Sequence, residues 1–136
     1  MTPGAGPAPL VLASANPKKV AELREILASQ DLGYELVARP EDVADVVEDA
    51  PDFVGNARLK ASALVAATGW AALADDSGLE VDALDGAPGV RSARFAGEDA
   101  SDADNVELLL SRLADMGAAA GERTARFRCV IVLQRP

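Results

Sequence analysis

The chain has 136 residues, of which 49% are hydrophobic and 26% are charged, and its formal net charge is −9. These values are typical of a soluble globular domain, and they exclude a disordered chain and a broad nucleic-acid-binding surface, which needs a basic face. No apolar run approaches the roughly 20 residues of a membrane-spanning helix, so we expect neither a membrane nor nucleic acid as a partner.

The N-terminal sequence predicts a tail that precedes a single domain. Its residues, MTPGAGPAP, lack the basic and apolar regions of a signal peptide. We therefore predict a flexible tail over residues 1–9, a single domain over residues 10–136 and a cytoplasmic location.

The first part of the domain predicts a strand, a helix and a strand. The apolar run PLVLASA (9–15) predicts a buried strand, and YELVA (34–38) predicts a second one. Between them we expect a helix over about residues 17–29, with Asn16 as its cap and Pro17 at its first position.

An acidic loop and a second helix are expected next. RPEDVADVVEDAPD is interrupted by Pro40 and Pro51, which predicts a loop. FVGNARLKASALVAATG (53–69) predicts a helix that ends at Gly69. AALAD (71–75) then predicts a strand that leads into the acidic stretch ADDSG.

The remaining sequence predicts a strand, a turn, a helix and a last strand. LEVDAL (79–84) predicts a strand and DGAPGV (85–90) a turn. Ser101 and Asp104 predict the capping box of a helix whose apolar stripe consists of Val106, Leu109, Leu110 and Leu113. TARFRCVIVLQ (124–134) predicts a long strand that buries Cys129, the only cysteine. Strands that alternate with helices predict an α/β fold with a largely parallel or mixed sheet.

The stretch SANPKK, residues 14–19, lies at the junction of the first strand and the first helix. A helix N-terminus offers unpaired N–H groups and the positive end of the helix dipole, which suit phosphate. Ser14 and Asn16 add short polar side chains, and Lys18 and Lys19 add positive charge. The stretch therefore predicts a phosphate site; the alternative is a capped surface helix with solvated lysines.

The stretch ADDSG places Asp75 and Asp76 at the end of a predicted strand, where open α/β sheets bind their ligands. Two carboxylates there can bind a divalent cation and accept a proton from water. Because the chain contains no histidine, a metal must be held by oxygen atoms, which favours Mg²⁺ or Mn²⁺. The alternative is a solvated turn, since Ser77 and Gly78 let the backbone turn sharply.

A third group of candidates lies in EDAPDFVGNARLK. Glu48 and Asp52 can supply a further carboxylate, and Asn56 and Lys60 share one helix face because they are four residues apart. Beside a carboxylate–metal site, Lys60 would bind phosphate. The alternative is a solvated lysine on the surface of the helix.

These three stretches in this order, followed by GLEVDALDGAPGVRSARFAG, resemble the inosine/xanthosine triphosphate pyrophosphatase family. The resemblance extends from about Leu10 to Gln134, and SANPKK matches the family's Ser/Thr-x-Asn-x-x-Lys phosphate loop. It implies an elongated mixed α/β sheet with flanking helices and a cleft between two lobes, a homodimer, and Mg²⁺ as the cofactor. The family continues with Gly-Phe-Gly-Tyr-Asp and Ser-His-Arg segments that bind the purine, and neither occurs in this sequence.

The resemblance also assigns roles to residues. Asp76 matches the general base of the family, and the metal-binding carboxylates it implies are Glu48, Asp75 and Asp76. The residues that it implies for substrate binding are Ser14, Ala15, Asn16, Pro17, Lys18, Lys19, Lys60 and Ser77.

The implied activity is Mg²⁺-dependent hydrolysis of the non-standard purine nucleoside triphosphates ITP, dITP and XTP to the monophosphate and pyrophosphate. Water activated by the metal and Asp76 would attack the phosphate chain. One alternative is a poorly active chain, lacking the purine-binding segments, that binds metal or polyphosphate or only dimerises. Another is a house-cleaning pyrophosphatase for other modified nucleotides, whose loop is usually Ser-x-Ser-x-x-Arg, whereas Asn16 and Lys19 stand here.

Overall fold

The computed structural model describes residues 7–14, 16–30 and 32–136. Its strands are Ala8–Leu12 (β1), Tyr34–Val37 (β2), Ala71–Val81 (β3) and Ala125–Gln134 (β4). Its α-helices are Pro17–Ala28 (α1), Phe53–Thr68 (α2) and Asp102–Asp115 (α3), and its 3-10 helices are Asp82–Leu84, Gly89–Arg94 and Ala120–Glu122. Most of the predicted tail lies outside the described residues, and β1 begins at Ala8, within the predicted range of that tail. Across the described ranges, no helix has both the length and the apolar character needed to cross a membrane.

The four strands form one sheet in the order β2-β1-β3-β4. β1 pairs in parallel with both β2 and β3. Arg126 of β4 forms an ion pair with Asp82, just after β3, and Arg128 forms one with Glu80. Residue numbers therefore fall along β4 as they rise along β3, as they do in an antiparallel pair. The predicted mixed α/β fold is confirmed.

The chain divides into two compact units. The first consists of the described residues up to Ala50 together with Val54–Asp75 and Ile131–Pro136, and the second consists of Pro51–Phe53 and Asp76–Val130. The domain predicted over residues 10–136 therefore contains two units, and the boundary between them in β3 separates Asp75 from Asp76.

Alanine, valine and leucine side chains form the core of the first unit on both faces of β1 and β3. Because successive residues of a strand point to opposite faces, each strand contributes to two apolar clusters. One cluster packs against α2 and contains Val11, Ala13, Ala61, Leu64, Ala72 and Ala74. The other packs against α1 and contains Leu10, Leu12, Ala71 and Leu73 with the half-buried Val20, Leu23 and Leu27. Strands buried on both faces are expected where the pairing is parallel.

The predicted helix caps are confirmed. The Asn16 side chain accepts a hydrogen bond from the backbone N–H of Lys18 at 3.0 Å, and Gly69 ends α2 with a φ of +73°, which glycine adopts without strain. Ser101 Oγ accepts from the Asp104 N–H, and the Asp104 carboxylate accepts from the Ser101 N–H. That backbone N–H lowers the pKa of Asp104 from its usual value.

β3 differs from its prediction, because it is one strand of 11 residues where two separate strands were expected. Adjacent strand residues point to opposite faces, so the charges of Asp75 and Asp76 separate and do not end the strand. The second predicted strand extended to Leu84, but Asp82–Leu84 forms a 3-10 helix instead. At the end of the strand, Val81 N–H donates to Ala87 O at 3.1 Å.

Burial was overestimated at two places. The prediction that Cys129 is buried is wrong, because its side chain is exposed on β4, the last strand in the order of the described sheet. On the same face of β4, Phe127 is 84% exposed. In the predicted stripe of α3, Leu113 is buried, whereas Val106 and Leu110 are exposed.

Candidate functional site

The stretch SANPKK forms the turn from β1 into α1. Ser14 Oγ accepts a hydrogen bond from the Asn16 N–H at 3.1 Å, and the Asn16 side chain caps the helix through the Lys18 N–H. Pro17 is the first helical residue, and Lys18 is exposed. Ala15, which was predicted to bind substrate, lies outside the described residues. The short polar side chains therefore shape the start of the helix, as the capped-helix interpretation requires.

Lys19 and Asp75 form an ion pair in the first unit. Lys19 Nζ lies 2.7 Å from Asp75 Oδ2, and the two side chains are 37% and 13% exposed. Asp75 follows Ala71 and Leu73 on the face of β3 that packs against α1, which explains why it meets a lysine of that helix. The pair joins two of the three stretches that the sequence singled out.

Lys60 and Glu48 form a second ion pair in the same unit. Lys60 Nζ lies 3.0 Å from Glu48 Oε1, with side chains 25% and 31% exposed. One helical turn earlier, the Asn56 side chain is 1% exposed and its Oδ1 accepts from the Ala50 N–H at 2.9 Å. The face of α2 that carries Asn56 and Lys60 therefore holds the acidic segment at two points, close to Glu48.

Both ion pairs lie near the carboxyl end of β1, beside the middle of β3. The connection between α2 and β3 is short, so the helix runs back along the strand, with Ala61 and Leu64 packed near Ala72 and Ala74. About 13 Å of helix separate Lys60 from Gly69, and about 13 Å of strand separate Ala71 from Asp75. Lys60 is therefore level with Asp75 along the strand direction. Open α/β sheets bind their ligands at the carboxyl ends of their strands, and β1 ends here.

Asp76 and Ser77 begin the second unit. Asp76 is half-buried and Ser77 is exposed, and both belong to β3. Because strand residues alternate, the Asp76 side chain leaves the opposite face of β3 from Asp75. The catalytic, substrate-binding and metal-binding roles expected of all these residues stay predictions.

The residue that follows, Gly78, is packed tightly within the second unit. A Cβ atom on Gly78 would lie 2.3 Å from the carbonyl oxygen of Gly89 and 2.7 Å from Ser92 Oγ. Ser92 Oγ accepts from the Leu79 N–H at 2.9 Å and donates to Gly89 O at 2.7 Å. The sequence predicted a turn at Gly78 and no role for Ser92. Ser92 and Leu79 are 13 residues apart, and no helix or strand periodicity brings residues at that spacing together. The only local indication of this contact is that the turn sequence GAPGVRS contains two glycines and ends in a serine.

A metal site was expected at Glu48, Asp75 and Asp76. In residues 7–14, 16–30 and 32–136, no three acidic or thiol side chains are grouped closely enough to hold a metal ion by themselves. The chemistry of the donors still fits Mg²⁺, which is commonly bound by one or two carboxylates together with water and substrate phosphates. Glu48 and Asp75 each bind a lysine ammonium group here. A metal ion that binds with the substrate phosphates would therefore take the place of these ammonium groups beside the two carboxylates.

Two surface cavities lie elsewhere. The larger, with a volume of about 660 Å³, is on α3 and the segment before it and is lined by Asp99, Asp104 and Glu107 among others. The smaller, about 300 Å³, is between α1 and β2 and is lined by Arg24, Leu27 and Tyr34 among others. Neither of these two cavities is lined by a predicted site residue.

Comparison with known proteins extends these observations. Residues 10–136 match the Ham1 family. A dITP/XTP pyrophosphatase of Photobacterium profundum is 52% identical over 128 residues, which are 93% of this chain and 62% of the relative. One of Vibrio vulnificus is 50% identical, with the same coverage. The chain therefore spans 62% of the length of these curated relatives.

Solved structures of a HAM1 protein and of a dITP/XTP pyrophosphatase are also similar to this chain. A HAM1 protein from Coxiella burnetii superimposes with a TM-score of 0.85 at 42% identity, covering 94% of this chain and 64% of that one. A nucleoside-triphosphatase described as a dITP/XTP pyrophosphatase, from Mycobacterium abscessus, has a TM-score of 0.73 at 42% identity and covers 93% and 70%.

Proposed function

The chain belongs to the Ham1 family, and on that premise we propose that it hydrolyses non-standard purine nucleoside triphosphates. The proposed substrates are ITP, dITP and XTP, and the products are the monophosphate and pyrophosphate. The relatives named above carry dITP/XTP pyrophosphatase as their own name.

The observation that carries the proposal is the presence of two lysine–carboxylate ion pairs near the carboxyl end of β1, beside the middle of β3. A triphosphate is a polyanion, and ammonium groups paired to carboxylates are already held in position before it arrives. Lys19 and Lys60 can each exchange a carboxylate oxygen for a phosphate oxygen, because both side chains are partly exposed. The released carboxylates then become available to a divalent cation.

The reaction needs an attacking water and a base. We assign the base to Asp76, whose carboxylate would accept the proton of the water as it attacks the phosphate chain. Lys19 and Lys60 would bind phosphate oxygens and stabilise the charge that develops on the pyrophosphate leaving group. Ser14, Asn16 and the N–H groups at the start of α1 would orient the phosphates.

The proposed cofactor is Mg²⁺, held by oxygen atoms of Glu48, Asp75 and Asp76. When bound, it would neutralise negative charge on the phosphate chain. A homodimer, which rests on the family relationship, and a cytoplasmic location, which rests on the N-terminal sequence, complete the proposal.

Pyrophosphate release from dITP in the presence of Mg²⁺ tests the proposal directly. We expect wild-type protein to release pyrophosphate, and Asp76→Asn to lower kcat on the order of a hundredfold to ten-thousandfold, because the variant cannot act as a base. Asp115→Asn is the matched control: it makes the same change at an exposed residue at the end of α3 and should retain wild-type activity. Equal rates for wild type and Asp76→Asn would contradict the proposal. Equilibrium binding of dITP without turnover would favour the alternative of a chain that only binds polyphosphate.

A further inference from the structure

We propose that Ser92 is a positioning residue for the segment Asp76–Gly78, which it holds through the backbone of Leu79. Its role rests on the proposed function, since Asp76 matters to catalysis only if the chain hydrolyses a nucleotide. Ser92 lies in the 3-10 helix Gly89–Arg94, and it belongs to none of the stretches that predict phosphate or metal binding.

Both hydrogen-bonding functions of the Ser92 hydroxyl are used. Its oxygen accepts from the Leu79 N–H at 2.9 Å, and its proton is donated to Gly89 O at 2.7 Å. A hydroxyl that both accepts and donates fixes the distance between two backbone segments. One of these segments contains Leu79, and Asp76 lies three residues before it on the same strand. Ser92 can therefore position the backbone that carries Asp76.

Close packing makes this contact stiff. The Cβ position of Gly78 is 2.7 Å from Ser92 Oγ, 2.3 Å from Gly89 O and 3.0 Å from the ring of Phe53. No side chain fits there, so the backbone of β3 lies directly against the Gly89–Ser92 turn. Further along, Val81 N–H donates to Ala87 O at 3.1 Å, which ties the same strand to the residues before that turn. Displacement of the turn would therefore move the backbone next to Asp76.

The consequence for catalysis is geometric. A general base must lie within hydrogen-bond reach of the proton it accepts, and a misplacement of about 1 Å can lower a rate on the order of a hundredfold. Ser92 does not touch the reacting atoms in this proposal. It sets the position of Asp76, so its loss should affect kcat more than the binding of the triphosphate, for which Lys19 and Lys60 of the first unit are proposed.

The test compares Ser92→Ala with Ser92→Thr, which keeps the hydroxyl. We expect Ser92→Ala to lower kcat for dITP on the order of tenfold to a hundredfold, with KM within about twofold of wild type, and Ser92→Thr to recover most of the rate. Ser101→Ala is the matched control, because it also removes a serine hydrogen bond in the second unit, at the cap of α3. It should leave kcat unchanged while lowering stability by a comparable amount.

Amide hydrogen exchange provides a readout that does not need activity. The amides of residues 76–79 should exchange faster in Ser92→Ala than in wild type and Ser101→Ala, at equal global stability. Unchanged exchange at these amides, or unchanged kcat in an active protein, would overturn the proposal for Ser92. If wild type releases no pyrophosphate but exchange at residues 76–79 depends on Ser92, the proposed function fails while the positioning of the segment stands.

Discussion

Lys19 and Asp75 are 56 residues apart in the sequence, and their side chains lie 2.7 Å apart in the structure. The contact exists because β1 and β3 are parallel neighbours. The turn that follows β1 therefore lies beside Asp75, which is in the middle of β3. Asp75 is the more deeply placed partner, with a side chain 13% exposed.

The first prediction concerns Lys19. Replacing it with alanine should raise the KM for dITP about tenfold or more, since a hydrogen bond to a charged group contributes about 1.5–3 kcal/mol. The kcat value should change less than KM. Arg24→Ala removes one positive charge from the same helix at an exposed position and serves as the control. Steady-state kinetics that leave the KM of Lys19→Ala at the wild-type value would remove Lys19 from the phosphate site.

The second prediction concerns Asn56, which is 1% exposed. Asn56→Ala leaves the Ala50 N–H without its acceptor and should lower the free energy of unfolding by about 1–3 kcal/mol. Urea unfolding measures the change. Ser62→Ala, on the same helix, removes an exposed hydrogen bond to Gln134 and should change stability by less than about 0.5 kcal/mol. Equal stabilities of the two variants would show that the acidic segment does not depend on Asn56.

The third prediction concerns Gly78. Because a Cβ there would lie 2.3 Å from a backbone oxygen, Gly78→Ala should lower the free energy of unfolding by about 1–3 kcal/mol. Gly121 has no atom within 4 Å of its Cβ position, so Gly121→Ala should change it by less than about 0.5 kcal/mol. Thermal unfolding of both variants and of wild type measures these changes. A Gly78→Ala protein as stable as wild type would contradict the close packing described for β3.

The fourth prediction concerns pH. A hydrogen bond from Thr124 and the charge of Arg126 lower the pKa of Asp82 below its usual value of 3.8. A carboxyl group with a lowered pKa in the folded state adds stability above its unfolded pKa and loses it as the pH falls through its folded pKa. Wild type should therefore lose more stability than Asp82→Asn when the pH is lowered from about 5 to below 3.8.

Urea unfolding at several pH values checks this expectation. Asp115→Asn is again the control, and its pH dependence should follow that of wild type. If the curves of wild type and Asp82→Asn run parallel across this range, the contacts of Asp82 with Thr124 and Arg126 do not contribute to acid stability.

Local chemistry made the helix boundaries predictable. The caps at Asn16 and Ser101 depend on residues two or three positions away, and such short-range contacts are visible in a sequence. The role of Ser92 was not predictable, because its partner Leu79 is 13 residues away across an irregular turn. Cys129 was misjudged for a related reason: an apolar run predicts a strand, but only tertiary structure determines which of its faces is covered.

Grouping of the site residues was partly predictable. The sequence singled out the stretches that contain Lys19, Glu48, Lys60 and Asp75, yet it offered no basis for pairing them. Parallel strand order and the direction of α2 decide which lysine meets which carboxylate, and both are properties of the whole sheet.

The exposed face of β4 has a consequence for the behaviour of the protein in solution. Phe127, Ile131 and Leu133 are 84%, 57% and 48% exposed on alternate positions of a strand at the end of the described sheet. A strand of this kind readily recruits a second strand. The net charge of −9 opposes such contacts through repulsion between molecules, and salt screens that repulsion. We therefore expect concentrated samples to scatter more light as salt is added.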